Sequence, residues 1–313
     1  MPRLFDIYLA IDWSARSQPS PARPSRDAIW VEELAAAGID GRPLEAEPYH
    51  RTRRQCLAHL QERLQYHTAQ GRRVLVGFDF ACGYPAGFAR SLGLSGAAPP
   101  WRGLWDLLSG LVQDDDDNHN NRFEVAAQLN ARCGRPAPGP FWGCPAARQL
   151  PFLTAKMHPE RFPYPVGDGQ QLANLRWTDL RIRGVQPVWK LLGVGSVGSQ
   201  SLVGIPVVHA LRFDPALAAF SRVWPFETGF TPEPAPAGGP FILYAEIWPG
   251  AAPGPLDPLL SVRDQAQVHL VTRWLNQLDE QGQLGGLFDA PPDLPDDGRR
   301  AAVEEEGWIL GVR

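Results

Sequence analysis

The sequence predicts an α/β protein: a mixed five-stranded sheet flanked by helices, with a large helical and loop insertion over approximately residues 87–223, all in a single domain of residues 1–313. Three observations carry that expectation. Short apolar runs rich in branched and aromatic residues recur along the chain, and three of them lead into an acid. Helix-periodic segments separate several of these runs. Amphipathic helices and Pro/Gly-rich loops fill the long interval before the last of them.

Residues 5–12 (Phe-Asp-Ile-Tyr-Leu-Ala-Ile-Asp) form the first expected strand, with Asp12 at its carboxyl end. Residues 17–26 are rich in Pro, Ser and Arg and suit an exposed hairpin loop, so residues 28–34 read as an antiparallel return strand. A third short strand is expected near residues 44–49. Residues 51–70 then show helical spacing through Cys56, Leu60 and Leu64, with Thr52 as cap and Gly71 as stop. Residues 73–79 are almost continuously apolar, which fits a central strand buried on both faces and ending in Asp79. Within the insertion, helices are expected over 101–112 and 122–133. Residues 241–248 form the fifth strand, carrying Glu246 and stopped by Pro249. The last long helix spans 262–278, with Asp264 in its first turn.

Composition bounds the function. Hydrophobic residues make up 44% and charged residues 20%, enough apolar material for a sizeable core. No apolar run approaches the ~20 residues needed to cross a bilayer. The amino terminus lacks the basic head, apolar segment and cleavage site of a secretory leader, so a cytoplasmic protein is expected. Cys56, Cys82, Cys133 and Cys144 are widely spaced, which argues for reduced thiols rather than a zinc site or disulfides. A net charge of −4 provides no global field to attract nucleic acid, although a local basic groove is compatible with it.

In an open α/β sheet, ligands collect beyond the carboxyl ends of strands. Asp12, Asp79 and Glu246 fall at such ends, and Asp264 opens a helix. Hard carboxylate oxygens converging in one cleft suit magnesium or manganese and leave positions for waters and substrate phosphate. Singly, each of these acids reads equally well as a cap or a surface residue.

The segments Ala10-Ile-Asp-Trp-Ser-Ala15, Gly77-Phe-Asp-Phe-Ala-Cys-Gly-Tyr-Pro85 and Ala245-Glu-Ile-Trp-Pro249 resemble the family called domain of unknown function 429, described as predicted ribonuclease H-like nucleases. Short matches extend over nearly the whole chain. Asn121-Arg-Phe-Glu-Val125 is similar to the family's Arg-containing helix, Phe141-Trp-Gly-Cys-Pro145 to its aromatic–small–Pro element, and Arg263-Asp-Gln-Ala-Gln267 to its late acidic helix start. The glycine-rich continuation of the family's first strand is replaced here by Trp13-Ser-Ala. The resemblance implies a ribonuclease H-like fold and a divalent-metal-dependent phosphoesterase or nuclease. Asp12, Asp79 and Glu246 would be metal ligands, Asp264 a ligand or water-orienting base, and Arg122 a phosphate contact. Nucleic acid or a small nucleotide would be the substrate. The alternatives are phosphoryl transfer on a small nucleotide, a role in molybdopterin-guanine dinucleotide or cobalamin metabolism, and a noncatalytic binding module of the same fold.

Other motifs read less sharply. Gly193-Val-Gly-Ser-Val-Gly198 matches the dinucleotide fingerprint formally, but no convincing strand precedes it and no well-placed acid follows. A glycine-rich turn lining the carboxylate cleft is favoured, with Ser196, Ser199 and Gln200 offering hydrogen bonds to substrate. The acidic run at 114–117 lacks the glycine and final glutamate of a calcium loop and reads as a solvated connection. Cys82 lies close to Asp79 but has no identifiable histidine base. Glu227 reads as structural.

Overall fold

The computed structural model describes residues 3–39, 49–94, 96, 98–133, 139–158, 161–166, 169 and 171–313. The chain begins with an antiparallel pair, β1 (Ile7–Asp12) and β2 (Ile29–Ala35), followed by β3 (Tyr49–His50). The rest of the third expected strand, residues 44–48, lies outside the described residues. Helix α1 (Arg53–Ala69) starts where Thr52 Oγ1 accepts the Gln55 N–H, and it delivers the chain to β4 (Arg73–Phe78).

Then come α2 (Phe88–Ser91), α3 (Pro100–Leu111) and α4 (Arg122–Arg132). A small ladder of β5 (Tyr164–Pro165) and β6 (Gln171–Leu172) precedes α5 (Val197–Arg212). The chain rejoins the main sheet through β7 (Ser221–Val223) and β8 (Phe241–Glu246). It ends with α6 (Arg263–Glu280), α7 (Gly285–Phe288) and α8 (Asp296–Ala301), the last running into a π-helical turn at Ala302–Glu306.

The sheet has six strands in the order β3-β2-β1-β4-β8-β7, not the five expected. β2 is antiparallel to both β1 and β3, whereas β1, β4, β8 and β7 run parallel to one another. The sixth strand is β7, whose three residues are too few to show a period and lie within the stretch taken as insertion. Helix α5 falls there too. It is buried almost all round, with Gly198, Leu202, Ile205, Val208 and Leu211 all inside, so it lacks the polar stripe that marks a surface helix. The interval 87–223 therefore adds both a core helix and an edge strand to the sheet.

Alternation along the central strands divides the core between the two faces. Ile7, Leu9, Val74, Val76, Ile242 and Tyr244 point to the side covered by α1, α3, α4 and α5. Tyr8, Ala10, Leu75, Leu243 and Ala245 point to the side covered by α6 and the carboxyl-terminal segment. Gly204 of α5 lies against the Phe80 ring, and a Cβ there would collide with it. Such close packing holds the amino terminus of α5 beside the carboxyl ends of β1 and β4. No described helix is long and apolar enough to cross a membrane.

Candidate functional site

The parallel pairing of β1 and β4 sets the first two acids side by side. Ile11 is in register with Phe78, Asp79 N donates to Ile11 O at 3.1 Å, and both strands stop with their acids at the same edge. Trp13 N donates to Asp79 Oδ1 at 2.7 Å, fixing that carboxylate. Asp264, in the first turn of α6, accepts the Asp27 N–H at 2.6 Å and closes the same wall. Asp12, Asp27, Asp79 and Asp264 line one cleft of about 650 Å³.

These acids repel one another. Burial holds the Asp12 carboxyl well above the usual carboxylate range, and Asp79, Asp264 and Asp27 raise it further. Asp79 is pushed up to about 7, first by burial and then by Asp264 and Glu246, against the hydrogen bond from Trp13. Asp27 is raised by burial and by Asp264, partly offset by Arg16. Asp27 is the member of this wall that the sequence did not mark. It lies at the end of a hairpin loop, and only the return of β2 alongside β1 carries it back to the strand ends.

The opposite wall is basic and hydroxylic. Arg122 opens α4 and is 8% exposed. Its Nη1 donates to Ser17 Oγ at 2.7 Å and Asn120 Oδ1 at 2.8 Å, and its Nε donates to Ser199 Oγ at 2.9 Å. Its guanidinium lies over the Phe123 ring, 4.4 Å from the centroid. Among the described residues no carboxylate pairs with it, and burial with the nearby Arg53 and Arg148 lowers its pKa to about 10. It stays charged at neutral pH. Ser199 is buried and donates in turn to Leu191 O at 2.5 Å, so it holds Arg122 rather than facing the cleft. Ser196 and Gln200 do line the cleft, and Gln200 Nε2 donates to Trp13 O at 2.7 Å.

The turn before α5 completes this wall. Gly193 and Gly195 adopt φ of 92° and 69°, a region that other residues enter with strain. Lys190 Nζ pins the turn through Gln186 Oε1 at 2.8 Å and Val194 O at 2.6 Å. The segment leading into it forms single bridges, such as Trp142 with Lys190, rather than a strand. The strand–turn–helix unit of a dinucleotide fingerprint is therefore not formed here.

Glu246 ends β8 but does not line this cleft. Its oxygens accept Arg176 Nη1 and Nη2, both at 2.7 Å, and Cys82 N at 3.1 Å. Arg176 is fully buried and also holds Asp179, through Nε at 3.1 Å and Nη2 at 2.9 Å. Glu246 instead borders an adjoining chamber of about 250 Å³, which shares Asp79 with the cleft. Among the described residues, no three His, Cys, Asp or Glu side chains are gathered closely enough to hold a metal ion by themselves. Arg176 left no signal in the sequence, because an arginine before a tryptophan in a loop has no recognisable pattern.

The remaining candidates are accounted for structurally. Asp114 forms a bidentate pair with the buried Arg53 at 2.5 and 2.6 Å, and Asn118 is buried beside it, so this loop is tied down rather than merely solvated. Arg212 grips both oxygens of Glu227 at 2.7 Å. Cys82 is buried, and burial followed by Glu246 pushes its thiol far up, which leaves it a poor nucleophile. Comparison with known proteins found no match to a family model, to a curated protein or to a solved structure.

Proposed function

We propose that the chain is a divalent-metal-dependent phosphoesterase, working on a nucleic acid or small nucleotide in the cleft between the acid wall and Arg122. One observation carries the reading: mutually repelling carboxylates face, across a single cleft, a buried arginine that has no carboxylate partner among the described residues. A cation bound on the acid wall and a phosphate bound opposite would each relieve an unbalanced charge. The donor set fits magnesium or manganese, which are commonly bound through one or two carboxylates with waters and substrate phosphate completing the shell.

Asp12 and Asp79 would hold the ion, and Asp264 would bind it or orient a water. The ion, when bound, supplies charge neutralisation at the scissile oxygens and an acidified water. Glu246 is engaged by Arg176, so its role in this scheme is to steady the end of β8 beside Asp79. Arg122, held by Ser17, Asn120 and Ser199, presents its guanidinium edge to a phosphate oxygen. Ser196 and Gln200 offer further hydrogen bonds.

The sheet supports a ribonuclease H-like reading. The strands β3-β2-β1-β4-β8 make a mixed five-stranded unit, with β2 alone reversed, and β7 is added at the edge. Together with the short motifs at Asp12, Asp79 and Glu246, this favours the domain of unknown function 429. The test is hydrolysis of an aryl phosphodiester by the wild-type chain with manganese, with magnesium and with chelator. Turnover that needs the metal and is lost in Asp12→Ala is expected; turnover that survives either change overturns the proposal.

A further inference from the structure

The chamber beside the carboxylate cleft differs chemically from the cleft itself. Ile182, Val185, Ile247, Trp248 and Ile309 give it apolar walls. Its floor is the Arg176–Glu246–Asp179 cluster, in which every nitrogen of the guanidinium already donates to a partner. That floor itself offers a phosphate no free donor, and elsewhere in the lining the polar side chains are Asp79, Arg183 and Gln186. An uncharged flat ring would find apolar contact on its faces.

Trp248 is presented for that role. It follows β8 directly and is 41% exposed, in contrast to the fully buried tryptophans of the core. Its six-membered ring lies against Gly250, where a Cβ would collide with Cζ2, Cε2 and Cη2. The glycine seats the indole. At the chamber's rim, the Gln186 amide nitrogen has only a 3.5 Å contact to Gly184 O and remains open to a polar ring edge.

We propose that this chamber receives the base of the substrate, which makes the substrate a mononucleotide with its phosphate in the cleft and its base against Trp248. The proposal rests on the phosphoesterase reading for the phosphate half and on the chamber's own chemistry for the base half. Asp79 borders both spaces, so a single molecule can occupy the two together. At about 250 Å³ the chamber is smaller than the ~300 Å³ at which whole-ligand pockets begin, and it suits one ring system rather than a stack of bases. A base within a duplex would have to leave its stack to enter.

The test compares three probes by calorimetry in the presence of manganese: the non-hydrolysable 5′-phosphonate analogue of adenosine monophosphate, the matching ribose phosphonate without a base, and adenosine. The nucleotide analogue should bind the wild type about tenfold more tightly than the ribose phosphonate, the order expected of one base stacked on an aromatic side chain. Trp248→Ala should remove that difference and leave the ribose phosphonate unchanged, whereas Trp248→Phe should keep most of it. Equal affinities of the two phosphonates for the wild type would overturn the proposal, as would an equal loss of both in Trp248→Ala or no binding of any base-containing probe. Trp248-dependent adenosine binding with no phosphonate dependence on manganese or Asp12 would retain the base chamber and reject the phosphoesterase reading.

Discussion

Replacing Asp79 by Asn should make the metal-free protein more stable. The Asp79 carboxyl is raised from 3.8 to about 7 in the folded chain, so the folded state binds a proton more tightly than the unfolded state does. A raised carboxyl favours folding fully below its unfolded value, and that benefit is lost as pH rises through the folded one. At ~1.4 kcal/mol per pKa unit, keeping this site ionised costs on the order of 4 kcal/mol at neutral pH. Asparagine keeps an oxygen to accept the Trp13 N–H and removes the charge, although part of the gain is returned through imperfect packing. Urea denaturation of both proteins from pH 4 to pH 8 should show a gain in the variant of at least about 1 kcal/mol at pH 8, fading towards pH 4. Manganese should raise the wild-type midpoint and leave that of the variant unchanged. A destabilised Asp79→Asn at pH 8, or a difference independent of pH, would refute the electrostatic argument.

Arg176→Met should destabilise by about 3–5 kcal/mol, because Glu246 and Asp179 are left buried without their cation; a loss under 1 kcal/mol in urea denaturation would contradict the assignment of Glu246 to that cluster. Glu33 titrates in the opposite sense to Asp79. Burial raises it, but hydrogen bonds from His67 and Arg63 outweigh burial and bring it down to about 2 from 4.5. It should therefore contribute roughly 3 kcal/mol above pH 4.5 that disappears as pH falls towards 2; a wild-type minus Glu33→Gln difference that does not shrink between pH 5 and pH 3 would sink this account. Arg122→Lys keeps the charge but loses the planar fork held by Ser17, Asn120 and Ser199. Calorimetry should show phosphonate affinity reduced about tenfold with manganese affinity unchanged; unchanged phosphonate affinity would remove Arg122 from the site.

Much of the sheet was legible because its central strands are apolar runs with clear ends. β1, β2, β4 and β8 lie within a residue or two of where alternation and breakers put them, and Thr52 caps α1 as its position suggests. β7 and α5 were not legible for opposite reasons. One is too short to display a period, and the other is too uniformly buried to display a stripe. Six of the eight candidate site residues line one cleft: Asp12, Asp79, Asp264, Arg122, Ser196 and Gln200. Strand ends and helix starts are local features, and parallel topology brings them together. Ser199 and Glu246 face elsewhere, because helical rotation turns the first towards Arg122 and a distant arginine captures the second. Neither outcome is encoded near the residue concerned. The same holds for Asp27, whose place in the acid wall depends on the length of the hairpin before β2.

Titration of manganese into the wild-type chain and into Asp12→Ala by calorimetry tests the central claim most directly. The Asp12 carboxylate accepts no hydrogen bond from another described residue, and its folded-state charge is opposed by three carboxylates, so its removal should leave the fold intact and take away the principal ligand. The account predicts saturable binding to the wild type and its loss in the variant. No binding to either protein, or equal binding to both, would contradict it.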